Sequence, residues 1–129
     1  MSYPYFGRRE DARLLTGAGR YTADCNRPGQ LYAVFLRSDR AHARILSIDT
    51  ATACAAPGVA AVLTGEDAAI AGYGRGNVTL PYKGRDGMVL LSPQAPSLAR
   101  DRVRYVGDPV ALVVAASVTE AQDAAELIM

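Results

Sequence analysis

Apolar residues in this chain fall into short runs separated by glycine, proline and small polar residues, and each run predicts an element. Residues 1–30 show no sustained period. Gly7, Gly17, Gly19, Pro28 and Gly29 punctuate a polar segment that reads as an irregular lead-in. Residues 31–38 (LYAVFLRS) are rich in β-branched and aromatic side chains and predict a mostly buried strand. A polar turn at Asp39 and Arg40 leads into residues 43–48 (ARILSI), a second strand whose alternation is partial. Residues 49–56 predict a short helix, with Asp49 accepting a hydrogen bond from a free N–H of the first turn and Pro57-Gly58 stopping it. Residues 59–64 (VAAVLT) are the next strand, and Glu66-Asp67 opens a further helical turn.

Residues 71–100 break this rhythm. They carry many of the glycines and three of the seven prolines, which predicts a long excursion with a short hairpin through residues 78–80 and 88–91. Loops of this length in a small domain commonly border a functional or partner surface. Order returns at residues 102–106 (RVRYV), with Val103 and Tyr105 expected on one side and Arg102 and Arg104 on the other. After a break at residues 107–109, residues 110–115 (VALVVA) form a continuous apolar run, expected to be a strand buried on both faces. The clearest helix is the last, near residues 118–129. Ser117 and Glu120 have capping-box spacing, as do Thr119 and Gln122. Ala121, Ala124, Ala125 and Ile128 then fall on one face, while Glu120, Asp123 and Glu126 point away. No stop signal precedes Met129, so the helix is expected to run to the last residue and the sequence to be a fragment.

Composition narrows the function classes. The chain has 129 residues, half of them hydrophobic, enough for one domain with a real core. Fourteen basic and 13 acidic residues leave a net charge of +1, without the basic excess that neutralises nucleic-acid phosphates. Cys25 and Cys54 read as reduced thiols, and two thiols do not supply the four ligands of an iron–sulfur cluster. No apolar stretch follows Arg8-Arg9, against an export signal, and residues 110–116 are too short to span a bilayer; a cytoplasmic location is expected.

Candidate chemistry is sparse. Gly17-Ala18-Gly19 lacks both the third glycine and the preceding strand of a dinucleotide fingerprint, and the run from Gly72 to Gly76 lacks the Lys-Ser/Thr of a phosphate loop. His42 is the sole histidine and reads as a hydrogen-bonded structural residue. Asp123 and Glu126 have no third partner and read as a solvated face. Arg37, Arg40 and Arg44, with His42 among them, form the densest positive group; such a group can anchor a phosphate, but its more common use, a salt-bridged interdomain or subunit contact, is the expectation here. No catalytic, cofactor-binding or metal-ligating residue is expected.

Four phrases in order carry a resemblance: EDARLLTGAGRYTAD (residues 10–24), PGQLYAVFLRSDRAHARILSIDT (28–50), PGVAAVLTGEDA (57–68) and RVRYVGDPVALVVAASVTEAQDAAELI (102–128). Together they resemble the N-terminal α/β-hammerhead domain of the large, molybdopterin-binding subunit of xanthine dehydrogenase, aldehyde oxidase and carbon monoxide dehydrogenase type enzymes. Residues 8–21 look most like the carbon monoxide dehydrogenase-like branch. The resemblance implies an α+β fold with a mixed sheet and a single domain over residues 1–129 of a much longer subunit. It implies an oxidoreductase that hydroxylates aldehyde, N-heterocycle or CO-type substrates with water-derived oxygen. The molybdenum–pterin cofactor and the general-base glutamate would lie in later domains of the same subunit, and iron–sulfur clusters and FAD on partner domains or subunits. This chain would be architectural, binding neither nucleic acid nor a membrane. The alternative is a free-standing small binding or adaptor protein with the same fold, distinguished by a stop codon directly after residue 129.

Overall fold

The most apolar run of the sequence becomes the middle strand of the main sheet. In the computed structural model, which describes residues 7–73, 83–88 and 96–129, β5 (Pro109–Ala115) lies between β1 (Tyr32–Arg37) and β3 (Val59–Thr64) in the order β1-β5-β3. Both pairings are antiparallel. A separate two-stranded ribbon pairs β2 (Ala43–Arg44) with β4 (Arg102–Val103), also antiparallel. The expected mixed sheet is therefore corrected to antiparallel pairing throughout the described strands. Alternation with period two is the same for either direction, so the sequence pattern carries no information on this point. The chain divides into two compact units, Met1–Gln30 and Leu31–Met129.

Strand burial is one-sided. Along β5, Pro109, Ala111, Val113 and Ala115 are buried while Val110, Leu112 and Val114 are only half-buried. In β1, Tyr32, Val34 and Leu36 are half-buried and Ala33, Phe35 and Arg37 exposed. The expectations of a β5 buried on both faces and a mostly buried β1 are thus corrected: only one face of the sheet is closed by helices. Val34, Val113 and Val62 lie in one row across the three strands. They pack with Ala53, Ala115, Ala121, Ala124 and Ala125, and with Val59 and Ile128 beside them. Val113 is the only side chain larger than alanine in that buried cluster. Methyl-sized side chains let helix and sheet approach closely, and close packing of this kind tolerates little added volume.

That face is covered by α2 (Ala51–Cys54) and α4 (Val118–Glu126). The Asp49 carboxylate accepts the Ala51 N–H at 2.9 Å, as expected, although the helix proper is four residues long. Gly58 then turns the chain into β3 at φ +75°. At the start of α4, Ser117 Oγ accepts the Glu120 N–H at 3.2 Å and donates to Glu120 Oε2 at 2.8 Å. Glu120 does not point away: it is half-buried, and its carboxylate lies directly over the Cα of Gly58. Nor does α4 run to the last residue. Its end tightens into three-residue hydrogen bonds, Leu127 N–H to the Ala124 carbonyl at 3.1 Å and Ile128 N–H to that of Ala125 at 3.3 Å. Met129 then exchanges two backbone bonds with Asp49, at 2.7 and 3.2 Å. Pairing with Asp49 stops the helix where no local signal does.

The short helix after β3 is α3 (Gly65–Ile70), opened by a reciprocal Thr64–Asp67 capping box. The ribbon strands are shorter than expected. Past Val103 the Arg104 N–H turns to the buried carboxylate of Asp108 at 3.0 Å, and Gly107 at φ +90° donates its N–H to the Ser38 carbonyl at 2.8 Å. This turn rotates the chain out of strand geometry, so Val103 is buried while Tyr105 is 45% exposed. The expected common face of Val103 and Tyr105 does not form.

In the first unit, residues 1–30 are less irregular than their composition suggests. α1 (Asp11–Leu15) ends in a Schellman turn: Gly17 sits at φ +74°, its N–H bonding the Leu14 carbonyl at 3.2 Å and the Ala18 N–H that of Arg13 at 2.9 Å. The glycine that resembled a dinucleotide fingerprint is a helix stop. A 3-10 turn, Thr22–Asp24, follows. The expected hairpin over residues 78–80 and 88–91 falls outside the described residues, Met88 apart.

Candidate functional site

The second face of the main sheet is apolar and open. Phe35, Leu112 and Leu63 form one row across β1, β5 and β3, because each residue faces its neighbour in register. Phe35 is 45% and Leu63 40% exposed. Together with Leu98, Ala68 and Tyr73 they line a groove of about 560 Å³. A smaller cavity of about 230 Å³ lies between residues 45–48 and Gly65, with Ala99, Arg100 and Glu66 on its wall. Arg100 and Glu66 form an exposed ion pair there at 2.8 Å.

The four expected contact residues separate into different roles. Arg37, at the end of β1, donates from Nη1 to the Gly107 carbonyl at 2.9 Å, and its guanidinium carbon lies 5.4 Å from the Phe35 ring centroid. It braces the turn before β5 and lies over the Phe35 ring. Arg40 pairs with its neighbour Asp39 at 3.4 Å, both largely in solvent. His42 is exposed, at a bend, and its ring has no hydrogen-bond partner among the described residues, where a hydrogen-bonded histidine was expected. Arg44 lies in β2 directly opposite Arg102 in β4. Sequence reasoning left Arg102 out of the group. Its alternation with Val103 placed it on a polar face, but only the β2–β4 register sets it against Arg44.

One carboxylate is electrostatically distinct. The Thr64 hydroxyl and backbone N–H both donate to Asp67 at 2.7 Å, holding its pKa below the ordinary 3.8. This favours a charged helix N-terminus and serves α3 rather than chemistry. The described residues do not fit a molybdenum–pterin group. No buried side-chain nitrogen or oxygen among them lacks a partner, no three potential metal ligands converge, and the larger groove is lined mainly by hydrocarbon. No helix of the described residues is long and apolar enough to cross a membrane.

Comparison with known proteins identifies the family. Residues 16–129 match the family described as aldehyde oxidase and xanthine dehydrogenase, a/b hammerhead domain. The nicotine 6-hydroxylase large subunit of Paenarthrobacter nicotinovorans is 48% identical over 122 residues, a match covering 94% of this chain but 14% of that subunit. The solved quinoline 2-oxidoreductase of Pseudomonas putida 86 superposes with a TM-score of 0.77 at 44% identity, covering 95% of this chain and 15% of that one. The solved Cu,Mo-CO dehydrogenase gives a TM-score of 0.79 at 37% identity, with coverage of 95% and 14%. The chain therefore spans only a small part of the length of the relatives it matches. With an α+β sheet of matching fold and a family match over residues 16–129, the chain belongs to the a/b hammerhead domain family of aldehyde oxidases and xanthine dehydrogenases.

Proposed function

We propose that this chain is the structural, non-catalytic domain of a molybdenum-hydroxylase large subunit, and that it docks its open sheet face on the remainder of that subunit. The observation that carries this is the Phe35–Leu112–Leu63 row. Three large apolar side chains stand in register on the face that α2 and α4 leave uncovered. The occupant is the rest of the same polypeptide, because relatives such as the nicotine 6-hydroxylase large subunit extend far beyond the segment matched here. On this reading residues 1–129 act as one domain of a cytoplasmic enzyme. The whole enzyme hydroxylates an aldehyde, N-heterocycle or CO-type substrate with water-derived oxygen. Molybdenum–pterin binding belongs to later domains of the subunit, and iron–sulfur clusters and FAD to partner domains or subunits.

Burying the exposed part of Phe35 and Leu63 contributes about 1 kcal/mol each, roughly half the value for a fully exposed side chain. A buried carboxylate at either position costs several kcal/mol more. Phe35→Asp and Leu63→Asp, placed in the native gene product, are therefore expected to abolish recovery of assembled, metal-loaded enzyme. The 129-residue chain with the same changes should keep its circular dichroism spectrum, since both side chains are already part-exposed in it. Normal assembly and metal content in both variants would sink the proposal.

A further inference from the structure

The two-stranded ribbon holds an unneutralised charge pair. Arg44 and Arg102 are direct cross-strand partners and both are exposed, whereas Ala43 and Val103, on the ribbon's other side, are half-buried and buried. Directly opposed residues in an antiparallel pair place their Cβ atoms about 4.5–5.5 Å apart, and like charges there destabilise the pairing. Neither guanidinium forms an ion pair with a described carboxylate: Glu66 is committed to Arg100 and Asp39 to Arg40. The Asp108 carboxylate accepts the backbone N–H of Arg104. Arg104 adds a third cation beside the pair, its Nη1 donating to the Arg102 carbonyl at 3.3 Å. In a chain whose net charge is only +1, the concentration of positive charge on this ribbon is a product of register.

We infer that Arg44 and Arg102 form a two-guanidinium clasp for an Asp or Glu carboxylate in the remainder of the same polypeptide. The inference rests on the docking role proposed above. A carboxylate has two acceptor oxygens, and two adjacent planar forks satisfy both while relieving the repulsion between the arginines. The ribbon lines neither of the cavities described above, whereas small ligands are held in concave sites. The ligand is thus a group presented by another folded surface. That surface belongs to the same polypeptide because the chain spans 14% of the nicotine 6-hydroxylase large subunit, leaving most of such a subunit to pack around it.

Lysine scarcity makes the test clean. Lys83 is the only lysine of residues 1–129, so Arg44→Lys or Arg102→Lys in the native gene product adds a second lysine to this segment without changing charge. A water-soluble carbodiimide then joins that amine to any carboxylate in direct contact, and mass spectrometry identifies the partner. The expected product links position 44 or 102 to an Asp or Glu beyond residue 129. Its yield should stand at least about tenfold above an Arg27→Lys control, because a held pair reacts as an intramolecular one. It should fall as salt is raised. Capture only within residues 1–129, capture on a different polypeptide, or a yield equal to the control overturns the clasp. In the double variant Arg44→Glu with Arg102→Lys, the introduced groups should couple to each other across the ribbon. That link, with no distal capture in the Arg102→Lys variant, shows the register to be right and the clasp wrong. The two ideas fail separately. Loss of assembly in the groove variants with no distal capture removes only the clasp, while normal assembly in the groove variants removes the docking role itself.

Discussion

Gly58 links α2 to β3 at φ +75°, and its Cα lies beneath the carboxylate of Glu120 from the first turn of α4. Replacing it with alanine perturbs two things. An L-residue in the left-handed region costs about 1–2 kcal/mol. The new Cβ also overlaps the Glu120 carboxylate, which must swing aside and give up its 2.8 Å hydrogen bond from Ser117 Oγ. Glu120 is only half-buried, so that bond is worth about 1 kcal/mol, below the value for a fully buried charged acceptor. The Gly58 carbonyl also accepts the Ala116 N–H at 2.9 Å, so backbone relaxation away from Glu120 is resisted. Gly58→Ala should destabilise the chain by about 2–3 kcal/mol, read as a lower urea midpoint at unchanged slope. In a Glu120→Ala background only the backbone component remains, and the cost of Gly58→Ala should fall to about 1–2 kcal/mol, a coupling of about 1 kcal/mol. A cost below about 1 kcal/mol in the parent chain, or one unchanged by Glu120→Ala, would refute the reasoning.

Gly65 makes a contrasting case: a Cβ there would lie 2.5 Å from the Ala99 carbonyl oxygen, a backbone atom. Gly65→Ala should cost about 1–3 kcal/mol by overpacking, even though alanine is the better helix former, and thermal denaturation of the variant checks it. Thr64→Ala removes the cap of α3 and should cost about 0.5–2 kcal/mol by urea denaturation. The pH dependence of that cap has a definite sign. Asp67 has a folded pKa below 3.8, set first by the Thr64 hydroxyl and then by the Thr64 N–H. Its contribution is complete above the unfolded value and disappears as pH falls through the lower folded value. Urea midpoints of the parent and Asp67→Asn should therefore differ by a constant amount near neutrality and converge only in strong acid. A difference that grows as pH falls would contradict this.

Much of the chain was legible because its signals are local. β3 falls on residues 59–64 as its apolar run predicts, and Ser117 caps α4 as its spacing to Glu120 predicts. The four family phrases, residues 10–24, 28–50, 57–68 and 102–128, identified the family through their order along the chain. Arg44 was legible as a candidate contact residue, but Arg102 was not, since nothing in RVRYV states which strand it will face. The same limit hid the groove. Phe35, Leu63 and Leu112 are widely separated in sequence, and their row exists only through the β1-β5-β3 register.

Sequence alone determined where most elements begin, that Asp49 and Ser117 open their helices, and which family the elements compose, because periodicity and capping depend on neighbours within a turn or two. Tertiary structure decided which face of the sheet stays open, that all described strand pairs run antiparallel, that Glu120 closes over Gly58, and that Met129 leaves the helix to pair with Asp49. Each of those is a pairing between distant segments, set by which contacts best satisfy the backbone and the core at once, and no local pattern encodes it.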